Sequence, residues 1–169
     1  MDALPETIRF CRRGPTLTFH VTGHATMASC LVLRQRAEQA LAAGAATLHF
    51  DLRRCTHLDS TFIGTLLFLK REAGRVHGEL VLLAPSPRCR QVLEQMGLTG
   101  VFPTAAAEEP DTAGWADLGA SLEDAGACKR NIVEAHRELA ALPGPTGEVF
   151  RSVMRCLADE PEARAAGGK

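Results

Sequence analysis

Between Thr16 and Leu52 the hydrophobic period of the chain changes from two to about 3.6 and back to two. Leu17, Phe19 and Val21 alternate with Thr18, His20 and Thr22, which predicts a strand over 16–22 with one apolar face. Gly23 breaks it, and Thr26 is placed to N-cap a helix over Met27–Ala43. Leu33, Ala37, Ala40 and Leu41 share one face of that helix, and Gly44 ends it. A strand over Ala46–Leu52 then sets Leu48, Phe50 and Leu52 against Thr47, His49 and Asp51. Strand, helix and strand of these lengths form a βαβ unit, almost always a right-handed parallel crossover.

The same grammar extends both ways. Thr7–Arg12 reads as a strand joined to the next by the turn signal Arg13-Gly14-Pro15, giving a hairpin. Thr61–Ala73 reads as a helix with Ile63, Leu66, Leu67 and Lys70 at helical spacing, and Glu79–Ala84 as a central strand. Ser86 and Pro87 open a helix to Met96 that Gly97 closes, and Val101-Phe102 adds a short last strand. Gly64 inside a helix costs about 1 kcal/mol against Ala, which close packing of that helix on the sheet accounts for. Two strands alternate strictly, so the sheet is expected to be covered mainly on one face. The predicted class is α/β: a mixed sheet of four to five strands with helices chiefly on one face, over residues 1–103.

Residues 104–169 are expected to form a linker and a helical extension. Pro103, three alanines, Glu108-Glu109, Pro110 and Gly114 mark the linker, and Trp115 is expected to dock the C-terminal segment onto the domain. Ser121 and Asp124 resemble a capping box. Cys128, Ile132, Ala135, Leu139 and Leu142 form an apolar stripe that Pro143-Gly144-Pro145 stops. Thr146 is placed to cap another helix, with Val149, Val153 and Leu157 on one face. Such stripes need a surface. They are expected to cover the open face of the sheet, to form a partner-binding module, or to pair with a second copy as a homodimer.

Composition narrows function. Net charge is −1, against a broad nucleic-acid or anionic-membrane footprint. No stretch approaches the roughly 20 apolar residues of a membrane span, and the first residues lack the basic and apolar regions of a signal peptide, so a cytoplasmic location without direct membrane insertion is expected. The six cysteines are scattered and form no CxxC pair, and read as buried hydrophobes or incidental thiols. Cys55, His57 and Asp59 alternate like metal ligands, but spacing offers no fourth ligand. His57, Asp59 and Ser60 suggest a hydrolase, but no Gly-x-Ser-x-Gly elbow is present. His20, His24 and His49 read as solvated strand histidines. No glycine-rich phosphate loop or paired catalytic carboxylate motif appears, so no cofactor, catalytic residue or metal site is assigned.

One segment carries a signature: His49-Phe50-Asp51-Leu52-Arg53-Arg54-Cys55-Thr56-His57-Leu58-Asp59-Ser60-Thr61-Phe62-Ile63-Gly64. It reads as a strand, a polar loop, and Asp-Ser at a helix start. It resembles the STAS family of anti-sigma factor antagonists, in which a strand ending in Asp leads to an Asp-Ser-Ser-Gly-Leu-Gly type loop opening the second helix. Gly78–Ser86 and Val92–Leu98 resemble the later strand and helix of that family. Thr61 stands for the usual second Ser, Phe62 for the usual Gly, and Gly23-His24-Ala25-Thr26 lacks the acid of the early motif.

A helix start exposes unpaired N–H groups and partial positive charge. A phosphate on a hydroxyl there, adding about −1.5 to −2 charges, is tolerated in cis but not by a partner packed over Asp59. The resemblance implies that Ser60 is the phosphorylated residue, with Thr61 a second acceptor. It implies that Asp59, Ser60, Thr61, Phe62 and Ile63 form the partner-binding surface; Phe62 itself reads as core or as an exposed anchor, with partial exposure expected. The partner implied is an anti-sigma factor or histidine-kinase-like Ser/Thr kinase, and the protein a non-enzymatic switch in bacterial transcription control. The alternative is a STAS accessory subunit of a membrane transporter or lipid-trafficking complex.

Overall fold

The computed structural model describes residues 5–109, 111, 113–119 and 124–159. Its sheet has six strands in the order β5-β4-β3-β2-β1-β6: β1 Thr7–Arg13, β2 Thr16–Ala25, β3 Thr47–Leu58, β4 Glu79–Leu83, β5 Thr104–Ala105 and β6 Ala116–Asp117. β1 pairs antiparallel with β2 and β6, and the steps β2-β3-β4-β5 are all parallel. The helices are α1 Met27–Ala42, α2 Ser60–Arg75, α3 Pro87–Gln95, α4 Ala125–Ala140 and α5 Gly144–Asp159. The three parallel crossovers all step the same way across the sheet. A single crossover hand therefore puts α1, α2 and α3 on one face. There Leu17, Phe19, Val21, Leu48, Phe50, Leu52, Leu80 and Leu82 are buried. The stacked rings of Phe19 and Phe50, 4.9 Å apart, bind β2 to β3 at its centre.

The expected α/β class holds, with two strands more than the lower count. The stretch read as a linker supplies one edge strand, β5, and the residues just after it supply the other, β6. The last parallel strand is Thr104–Ala105, not Val101-Phe102, whose Phe102 instead joins the core. β3 also runs six residues past Leu52, through the segment read as a polar loop. Two register shifts against β2 explain the miss: His20 faces Asp51 but Thr22 faces Arg54, and Gly23 faces Cys55 but His24 faces His57. Each bulge inserts one residue, so the buried positions move from spacing two to spacing three, at Leu52, Cys55 and Leu58.

The cap at Thr26 is present, its side chain accepting from the Ala28 N–H. Asp124 caps α4, while Ser121 lies outside the described residues. α5 starts at Gly144, so Pro145 opens that helix and Thr146 lies inside its first turn. Trp115 docks on the open sheet face, its ring edge-on to His20 at 6.3 Å and its indole N–H donating to the Asp111 carbonyl. Among the described residues no cysteine forms a disulfide; Cys11, Cys30, Cys55 and Cys89 are buried and Cys156 is exposed.

The helices of the extension do not cover the open face of the sheet. α4 packs on α2 and touches α1, and α5 packs on α4. Helices thus lie two deep on the face that already carries α1 and α2.

Candidate functional site

The mouth of α2 is built by Asp59. Its Oδ1 accepts from the Phe62 N–H at 2.7 Å, capping α2, and its Oδ2 accepts from the Met27 N–H at 2.7 Å, at the first residue of α1. One carboxylate thus serves two helix starts, both of which favour negative charge. The Asp59 N–H donates to the Ala25 carbonyl at 3.0 Å, fixing the end of β3 beside the end of β2. Glu6 completes the α1 start, accepting from the Thr26 hydroxyl at 2.7 Å and from the Ser29 hydroxyl.

Ser60 is the first residue of α2 and is half-buried. Its Oγ lies 3.5 Å from His136 Nε2 on α4. The His136 Nδ1 is buried and has no hydrogen-bond partner among the described residues. Burial lowers the His136 pKa, while the charge of Asp59 pulls the other way. The ring also lies 5.5 Å from that of Phe150 on α5.

The remaining candidates are covered. Thr61 is 4% exposed, Phe62 1% and Ile63 0%. The expected partial exposure of Phe62 is corrected: every residue from Thr61 to Leu69 is buried, because the sheet takes one side of α2 and other helices take the rest. Gly64 is explained by α4 rather than by the sheet. A Cβ built on it would meet the Ala135 carbonyl oxygen at 2.2 Å, so only glycine lets the two backbones approach this closely. Two ion pairs flank the crossing, Arg34 with Glu134 and Arg71 with Glu138. Both guanidinium groups also lie over the Phe68 ring, at 3.7 Å and 5.2 Å.

Sequence reading missed His136, Glu6 and Met27. Met27, 55% exposed, is an apolar side chain on the residue that Asp59 holds. Spacing alone would have found His136, which lies beside Ala135 between Ile132 and Leu139 on the inward side of α4. Cys55, His57 and Asp59 do not converge: the Cys55 thiol donates to the His57 carbonyl and Asp59 is spent on helix starts. Among the described residues no three His, Cys, Asp or Glu side chains are grouped to hold a metal ion.

On the opposite sheet face, His20 is not solvated. Its Nδ1 lies 3.1 Å from Asp51 Oδ2, which also accepts from Arg53 at 2.8 Å. Burial pushes the Asp51 carboxyl up, and the hydrogen bonds from the Arg53 guanidinium and N–H and from His20 overcome it, leaving the pKa below the ordinary carboxylate value. Arg9, His20, Arg53, Arg54, Glu109, Asp111 and Trp115 line a shallow cleft there. Both signs of charge share its wall.

A mixed sheet with its helices on one face, and a serine opening the second helix beside a capping aspartate, define a small α/β domain. A family model described as "Mlab, STAS domain" matches residues 8–103. The chain belongs to the STAS domain family. Its fold is similar to the anti-sigma factor antagonist SpoIIAA in its unphosphorylated form, at 27% identity and TM-score 0.54, over 60% of this chain and 89% of that one. The Bacillus cell fate determinant SpoIIAA in its phosphorylated form matches at 26% identity and TM-score 0.50, over 59% and 91%. An anti-sigma factor antagonist from Mycobacterium paratuberculosis shares the fold at 21% identity and TM-score 0.52, over 61% and 87%. No curated protein matches the sequence. No helix of the described residues is long and apolar enough to cross a membrane.

Proposed function

We propose that the chain is a non-enzymatic protein-binding switch in which negative charge on Ser60 decides whether a partner docks at the mouth of α2. The observation that carries this reading is the half-exposed Ser60 hydroxyl at a helix start whose cap, Asp59, is already an anion. A phosphate there keeps the local N–H groups as neighbours in the free protein. In a complex it is buried beside Asp59, and desolvation turns it into a penalty. Met27 supplies exposed apolar area next to the switch. A phosphorylated form of the relative SpoIIAA supports a phosphoacceptor role for Ser60. Thr61, buried, becomes an acceptor only if α2 is uncovered.

The partner class that fits is an anti-sigma factor or histidine-kinase-like Ser/Thr kinase in the cytoplasm. The test is affinity capture with wild-type, Ser60→Ala and Ser60→Asp chains, read by mass spectrometry. A partner kept by wild type and Ser60→Ala but lost by Ser60→Asp is the expected result. The same partner in all three removes the charge switch. Recovery of an ATPase or permease instead identifies the chain as an accessory subunit of a membrane transporter or lipid-trafficking complex.

A further inference from the structure

We infer that the α4–α5 hairpin is a displaceable intramolecular occupant of the groove between α1 and α2, and that it gates Ser60 and the α2 surface against outside proteins. The inference rests on the reading of that surface as the partner site.

Three observations carry it. The first is where the hairpin sits. α4 crosses α2 at Gly64, one helical turn from Ser60, and its His136 ring reaches the Ser60 hydroxyl. A kinase or a docking partner cannot reach Thr61–Phe68 while α4 is in place, since those residues are all buried. The second is the make-up of the contact. The α2 crossing is a backbone-to-backbone approach of Gly64 and Ala135, rimmed by the Arg34–Glu134 and Arg71–Glu138 pairs. Glu134 and Arg71 keep 38% and 48% of their side-chain surface in water, so the rim is open to screening. A charged rim around a small apolar centre, here Ala135 and the fully buried Leu139, matches the make-up of an exchangeable inter-domain interface.

The third observation is that the contact is imperfectly satisfied where it meets the switch. His136 Nδ1 is buried without a partner among the described residues, a cost that vanishes when the helix lifts and water reaches the ring. α5 adds little to hold the hairpin down. Val149 is 57% exposed and Leu157 38%, while Phe150 alone of its large apolar residues packs against the core. A protein that displaces α4 is therefore expected to offer a helix with a small residue at the Gly64 crossing and carboxylates for Arg34 and Arg71.

The test uses the full chain with Cys128→Ser, Cys156→Ser and the probe Ala135→Cys, since Ala135 is only 2% exposed. Alkylation of the introduced thiol by iodoacetamide is followed by mass spectrometry, and amide exchange of β2 and β3 reports the sheet. The charge reversals Glu134→Arg and Glu138→Arg are compared with the parent. Labelling about tenfold faster in the reversed chain, with unchanged exchange in β2 and β3, is the expected result. Added salt should speed labelling in the parent and not in the reversed chain. Labelling that tracks exchange of β2 and β3 in both chains would show that α4 leaves only on global unfolding, and would overturn the inference. The readout does not involve Ser60. Loss of the Ser60→Asp effect with a mobile hairpin sinks the switch alone; a fixed hairpin with an intact Ser60→Asp effect sinks the gate alone.

Discussion

Gly64 and Ala135 meet backbone to backbone: a methyl group on Gly64 would sit 2.2 Å from the Ala135 carbonyl oxygen and 2.8 Å from its Cα. Gly64→Ala should therefore move α4, not α2. The substitution gains about 1 kcal/mol of helix propensity, which overpacking of about 1–3 kcal/mol offsets or exceeds. Amide exchange in α4 should quicken while β2 and β3 keep their protection. Unchanged α4 exchange would mean that the helices part without cost.

Asp59 serves two helix starts, and each cap is worth about 1 kcal/mol. Asp59→Ala should lower unfolding free energy by about 2 kcal/mol in urea titration. Asp59→Asn keeps one acceptor oxygen and should lose about half as much. A loss in Asp59→Ala no larger than that of a single cap would show that the α1 bond is idle.

Asp51 is a buried carboxylate held by Arg53 and His20, with its pKa lowered in the fold. A lowered folded pKa gives stability that is present above the unfolded value of about 3.9 and lost as pH falls through the folded value. Asp51→Asn should cost about 2 kcal/mol at neutral pH and flatten the acid limb of a thermal-melt series. An unaltered acid limb would assign that limb to other carboxylates.

His136 loses its contribution in the same direction, over a higher range of pH. Burial lowers its pKa, so the unfolded or hairpin-open state takes up the proton first. Its contribution is complete above the unfolded value of about 6.5 and declines as pH falls below it. Asp59, the charge that pulls its pKa upward, limits the decline. His136→Gln should flatten α4 exchange between about pH 5 and 7. The same slope in both proteins would rule the ring out as its origin.

The βαβ core is legible because each of its strands presents one apolar and one polar face, and Thr26, Ser86 and the glycines punctuate it. β3 is legible only to Leu52, since two inserted residues break the period that sequence reading relies on. The stripe on α4 announces that a surface is needed but not which one. That is why the resemblance alone places Phe62 and Thr61 on a partner-binding surface, and why Gly64 is credited to the sheet. A glycine records that something approaches closely, without recording what. Met27 carries no signal, since its exposure follows from its place beside Asp59 rather than from its type.

The two outermost strands are each only two residues long, and side chains from β1 reach the chain beyond them, with Arg13 holding Asp111 and the Ala113 carbonyl. A border this short is a poor template for another chain to zip onto. Fibrous growth through the sheet is therefore disfavoured by construction, since its borders offer a second copy little backbone to pair with.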